Sequence, residues 1–341
     1  MTLSEYHKTI ILSGGYETKI VEKELDGKKR KVTQLKGLSS IQVLGFHKIT
    51  IPQLPQFSHS HSMFLTNDND ILLCGRQQFI VEDSEWGPRY MKDFYHKMIS
   101  NQECLKLENG QWVFHSTLNQ SLSHCFAITM PNGVYMFGEQ PYLTAQTVKG
   151  EFLENGSTKW VMGPSLDKEN PSFLNCIGQF SGVRISEEEF VLIGIGNRQN
   201  NVVKYNIKQK NWEIVMKMKI PRYGHDSALI KNKIIICGGA LFDPSSTSIK
   251  CPPMPKTEVI YLPSWTSKVI EHENVENGSC KCAHVSCGIM TFKNQERLVS
   301  FEKTSKVWND DKEKWEVIEP ELNINRVGFG ILSLPSTMLI Q

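Results

Sequence analysis

His61, His124, His225 and His284 each stand at the start of an apolar stretch, and the first three precede a glycine (Gly75, Gly138 and Gly239) by fourteen residues. Brought to one axis, four imidazoles would suit binding a metal ion or moving protons near neutral pH. Phe180 and Phe329, however, stand where the same spacing puts the histidine in two further stretches. A position that accepts phenylalanine is one that packs, so the histidines are read as braces that bond to backbone carbonyls in the loop entering each repeat. A second candidate is "CKCAHVSC", which holds Cys280, Cys282, His284 and Cys287 within eight residues. All four are acceptable zinc ligands, but their spacing matches no CxxC pair. In an extended chain Cys287 also falls on the face opposite His284. His59 and His61 share a strand face in "HSHS" and would chelate only weakly. No metal and no cofactor is expected.

The elements that carry these residues repeat. "RYGHDSALIKNKIIICGG" reads as two short strands with a tight break between them, and "HSMFLTNDNDILLCG", "HCFAITMPNGVYMFG" and "FSGVRISEEEFVLIG" have the same layout. Downstream of each hairpin lies a strand, a polar turn and a strand led by tryptophan: Trp112, Trp160, Trp212, Trp265 and Trp315, separated by 48, 52, 53 and 50 residues. The unit is therefore about fifty residues with four strands, too small to bury both faces alone. Stacking such units around an axis covers each sheet with its neighbours, which is a β-propeller. Only "YMKDFYHKMIS", at 90–100, offers a short helix.

The paired glycines after the second strand, as in Gly14-Gly15 and Gly238-Gly239, and the Tyr-to-Trp spacing of "YNIKQKNW" resemble the kelch-repeat propellers over nearly the whole chain. The resemblance implies a single all-β domain over residues 1–341: a six-bladed kelch-type ring of four-stranded blades. "KTIILSGGY" lacks a first strand and "NRVGFGILSL" lacks a second, so the N- and C-terminal strands would complete one blade, with "FHKITIPQLP" as its outer strand. The tail "PSTMLIQ" also resembles a second strand and leaves a seventh blade open.

In adaptor-type kelch propellers, the residues after the glycine pair and the Arg-x-Gly leading into the first strand form a binding rim. Carried onto this chain, these are Tyr16, Arg76, Gln78, Glu139, Asn197 and Arg198, together with Arg222, Tyr223 and Arg326. Arg222 and Arg326 have a second reading, as partners of backbone or carboxylates between blades. The aromatic-rich insertion at 76–103 and the one at 240–256 both follow a second strand and would rise on one face of the ring. The resemblance thus implies a non-catalytic adaptor or scaffold for a protein or peptide, probed through loops on that face. The enzymatic alternative is a carbohydrate-modifying propeller of the sialic acid epimerase or mutarotase type, using Glu139 and Arg76, or a metal-dependent one.

Composition narrows the partners. Lys+Arg 38 against Asp+Glu 36 leaves a net charge of +2, which favours neither nucleic acid nor an anionic membrane. "DGKKRKV", the most basic run, sits between two extended stretches and reads as a solvated turn. No apolar run approaches the ~20 residues that span a bilayer, and the first residues, "MTLSEYHKTIILSGG", lead us to expect no signal peptide. Nine cysteines, mostly inside apolar runs, suit buried thiols in a reducing compartment, so a cytoplasmic monomer is expected. Sequons at Asn119, Asn155 and Asn277 leave secretion open.

Overall fold

The structure is a computed structural model that describes residues 9–13, 16–25, 28–37, 41–44, 51–55, 61–79, 83–86, 98–139, 148–166, 180–196, 200–241, 256–271, 286–292, 295–301, 306–317 and 330–334. Within them the chain is all-β, with strands β1 to β28 in chain order and no helix. Five four-stranded antiparallel sheets follow one another. The first holds β5 (Ser62–Leu65), β6 (Ile71–Cys74), β10 (Glu103–Glu108) and β11 (Gln111–Thr117). The next holds β12 (Ser123–Met130), β13 (Gly133–Glu139), β14 (Val148–Glu154) and β15 (Trp160–Met162). Then come β16 (Ser181–Arg184), β17 (Glu189–Ile195), β18 (Asn201–Asn206) and β19 (Asn211–Lys217). β20 (Arg222–Ile230), β21 (Lys233–Leu241), β22 (Lys256–Tyr261) and β23 (Thr266–Glu271) build the fourth. β24 (Ser286–Phe292), β25 (Gln295–Phe301), β26 (Lys306–Asn309) and β27 (Lys314–Val317) build the fifth.

The sequence pattern explains why these sheets stack. The second strands are continuous apolar runs, and β17 is buried at every residue after Glu189. Side chains alternate faces along a strand, so such a run serves two neighbours at once. Val134 and Met136 join the core shared with β5, β6 and β10, whereas Tyr135 and Phe137 join the core shared with β17 and β18. Val191 and Ile193 turn the other way, toward Ile234 and Ile236 of β21. Ile235 and Cys237 then meet Leu298 and Trp308 of the fifth sheet. Outer strands such as β19 hold only exposed and half-buried residues, as an edge should.

The recurrent tyrosine-to-tryptophan spacing has a direct cause. Tyr205 and Trp212 are cross-strand partners on either side of the β18–β19 turn, and their rings lie 4.7 Å apart. Leu153 with Trp160 and Trp308 with Trp315 are paired the same way. Each tryptophan also reaches the preceding sheet. Trp212 sits edge-on to Phe137 at 6.0 Å. Trp160 Nε1 donates to Ser116 Oγ (3.0 Å) and Trp315 Nε1 to Thr257 Oγ1 (2.7 Å).

A further sheet joins the two ends of the chain: β28 (Gly330–Leu334) pairs antiparallel with β1 (Thr9–Ser13), which pairs with β4 (Ile41–Leu44). One edge strand of each of these sheets neighbours that of the next: β5 lies against β12, β12 against β16, β16 against β20, β20 against β24, β24 against β28, and β28 against β5. Residues 51–55 of the expected outer strand form no strand, and the tail "PSTMLIQ" lies outside the described residues. Met98–Ser100, at the end of the stretch read as a helix, is a strand (β9).

One cysteine expectation is corrected. Cys74 and Cys104 form a disulfide, with Cα atoms 4.3 Å apart. They are direct cross-strand neighbours, because the β6–β10 register pairs Leu73 with Leu105 just beside them. Cys237 is disulfide-bonded as well, whereas Cys125 carries a buried thiol whose pKa desolvation pushes up to about 12. No described helix is long and apolar enough to cross a membrane.

Candidate functional site

The seams between sheets are built at the end of each second strand. Gly194 closes β17 at φ +88°, and a Cβ placed there would lie 2.6 Å from His225 Cε1. Gly75 does the same after β6, where an added Cβ would meet Cys125 Sγ at 2.1 Å. The heads of β20 and β12 thus pack onto the bare backbone of the preceding sheet. By register, Ser62, Phe126, Ser181 and Asp226 face the last residue before Gly75, Gly138, Gly194 and Gly238. The residues just before them are His61, Cys125, Phe180 and His225. His124 is displaced from this column by the irregularity between Ser123 and Phe126 and takes φ 46°. The expected column of histidines is therefore two histidines, a cysteine and a phenylalanine where it is described; His284 and Phe329 lie outside the described residues.

His225 is a brace through packing. Neither ring nitrogen makes a hydrogen bond of ordinary geometry. Desolvation and then the Arg222 charge press its pKa down to about 3, and the nearby Ile193 and Arg222 carbonyls act only weakly the other way. A pKa lowered on folding means that the fold favours the neutral ring. Its contribution is complete above the unfolded value near 6.5 and drains as pH falls toward 3, at up to ~1.4 kcal/mol per pH unit. Substituting His225→Phe, the residue type that stands just before β16 at Phe180, removes that drain. Urea midpoints measured at pH 7 and pH 5 will fall less in the variant than in the wild type; equal falls would refute the brace.

Two carboxylates that the sequence reading passed over hold the strand-to-strand links. Glu258 is fully buried on β22 and accepts from Lys219 N (2.8 Å), Ile220 N (3.2 Å) and Ser267 Oγ (2.8 Å). Glu151, equally buried on β14, accepts from Asn119 N (3.1 Å), Asn119 Nδ2 (2.7 Å) and Gln120 N (2.8 Å). Each carboxylate satisfies backbone donors of the segment that enters its own sheet. "KGEFLE" and "KTEVIY" give no sign of this, because a lone glutamate in a strand ordinarily faces water.

The predicted rim residues divide into three groups. Arg222 is completely buried, and its Nη1 donates to Gly238 O (3.1 Å) and Lys256 O (2.8 Å), backbone acceptors of its own sheet rather than partners between sheets. Desolvation lowers its pKa to about 10 against the opposing pull of Glu258. Arg76 is only 2 % exposed and reaches Glu103 at 3.3 Å, its pKa lowered by desolvation despite that carboxylate. Tyr223 is half-buried on β20. For Tyr16, Gln78 and Glu139 the backbone is placed, at the start of β2 (Tyr16–Leu25), within β7 (Gln77–Phe79) and at the end of β13. Asn197, Arg198 and Arg326 lie outside the described residues, as do Cys280 and Cys282, while Cys287 pairs with Ser300 in β24–β25.

Tyr16 and Gln78 belong to one construction. The loop after β1 is a long hairpin, β2 and β3 (Lys28–Gly37), paired in register from Tyr16 with Gly37 to Leu25 with Lys28. The loop after β6 forms the β7–β9 ribbon and sends β8 (Asp83–Trp86) onto β3, pairing Thr33 with Trp86 and Lys36 with Asp83. Loops from two neighbouring sheets thereby share a sheet of order β2-β3-β8. Among the described residues β2 pairs only with β3, so its ten-residue outer edge is unmatched.

Among the described residues no three His, Cys, Asp or Glu side chains are grouped as a metal site requires. No protein-family model matches the chain, and no curated protein shows significant similarity to it.

Proposed function

We propose that the chain is a six-bladed kelch-like propeller that binds a protein or peptide and acts as an adaptor or scaffold. The cyclic order of the neighbouring edge strands and the β1–β28 pairing support one closed ring. The observation that carries the binding reading is the shared sheet β2-β3-β8, assembled from the loops after two adjacent second strands. A rigid ring that presents such a sheet suits β-augmentation: an extended partner segment adds along β2, main-chain hydrogen bonds supply affinity, and alternate side chains select the sequence. The near-neutral charge suits such a partner better than nucleic acid or a membrane. An epimerase-like reading would need Arg76 open to a substrate, and its guanidinium is instead buried against Glu103.

Excising the hairpin tests the proposal. A variant in which residues 17–36 are replaced by a short Gly-Ser link should keep its melting temperature, because that hairpin lies outside the stacked sheets. It should lose the partner that wild-type protein retains in affinity purification, by at least tenfold in quantitative mass spectrometry. Retention of the partner at wild-type level would rule out this sheet as the binding surface.

A further inference from the structure

Two of the three sequons lie in described structure, and their side-chain amides are used differently. An N-linked glycan replaces one of the two hydrogens on Asn Nδ2, so a folded glycosylated asparagine can donate only once from that atom. Asn119 Nδ2 donates twice, to the buried Glu151 carboxylate (2.7 Å) and to Trp160 O (3.0 Å). A sugar there would break a bond in the segment that leads into β12. Asn155 Nδ2 donates once, to Pro131 O (2.7 Å), while its Oδ1 accepts from Asn67 (2.8 Å). It is exposed in the β14–β15 turn, whose Ser157 N closes onto Glu154 O (3.0 Å). That turn and the β12–β13 turn share one end of the sheet, and the loop after β13 leaves from the other. A glycan at Asn155 would therefore stand clear of the post-second-strand loops.

The second, independent observation is the Cys74–Cys104 disulfide. Disulfides persist where the surroundings oxidise thiols, which is also where N-glycans are attached. We propose that the chain matures in an oxidising secretory lumen and carries an N-linked glycan on Asn155, with Asn119 left bare. The reaction joins Asn155 Nδ2 to the anomeric carbon of a polyprenyl-diphosphate-linked oligosaccharide. The bond from that carbon to the diphosphate oxygen breaks, polyprenyl diphosphate leaves, and one Nδ2 proton passes to a base.

The test uses protein immunopurified from the cells that make it, alkylated without reduction, digested, and read by intact-glycopeptide mass spectrometry. The expected result is a hexose-containing mass increment on the Asn155 peptide that peptide N-glycosidase removes, an unmodified Asn119 peptide, and Cys74 and Cys104 recovered as one cross-linked peptide. An unmodified Asn155 peptide, a glycan on Asn119, or Cys74 and Cys104 recovered as alkylated thiols would each overturn the inference.

Discussion

Replacing Glu258 by alanine will lower the urea midpoint by the equivalent of about 3–5 kcal/mol, since it strands several part-buried donors and removes the counter-charge of a buried arginine. The donors are Lys219 N, Ile220 N and Ser267 Oγ, none of which the alanine methyl can replace. Arg222, fully buried, loses a carboxylate whose charge offsets its desolvation. Glu258→Gln keeps the volume and one acceptor but turns an N–H₂ group toward a backbone N–H, so roughly half the loss should remain. The control is Glu213→Ala. That carboxylate is 61 % exposed and reaches Lys204 at 3.4 Å, and such surface pairs are worth about 0–1 kcal/mol. If Glu258→Ala shifts the midpoint no further than Glu213→Ala, the buried carboxylate is not a structural tie.

Gly194→Ala should be nearly as costly, for a different reason. At φ +88° an L-residue costs ~1–2 kcal/mol, and the new methyl would stand 2.6 Å from the His225 ring, adding ~1–3 kcal/mol of overpacking. Only the second part depends on histidine. In a His225→Ala background the same glycine substitution should cost ~1–2 kcal/mol, leaving a coupling of at least ~1 kcal/mol in the double-mutant cycle. Additive effects would mean that the two residues do not share the seam.

Much of the fold was legible because the repeat is written in spacing. Continuous apolar second strands signal burial on both faces, and seven residues from Tyr205 to Trp212 measure one tight hairpin. What was not legible depends on register between separate strands. His124 and His225 look equivalent in the sequence, yet an irregularity of one residue puts Cys125 in the histidine's place. Cys74 and Cys104 are separated by 30 residues and become neighbours only once β10 pairs with β6. The candidate rim was half visible. The glycines mark where the loops begin, but Arg76 and Arg222 are buried and bond within their own sheets, to Glu103 and to the Gly238 and Lys256 carbonyls. That β8 would cross to join β3 depends on two loops roughly fifty residues apart, which no local pattern reveals.

The most direct measurement is hydrogen exchange of the purified chain, alone and with its captured partner. A binding surface at the shared sheet predicts slowed exchange in 16–37 and 77–86 on complex formation, strongest along β2, with the turns at 131–132 and 155–159 unchanged. Protection at those turns, with β2 exchanging as fast as in the free protein, would contradict the account.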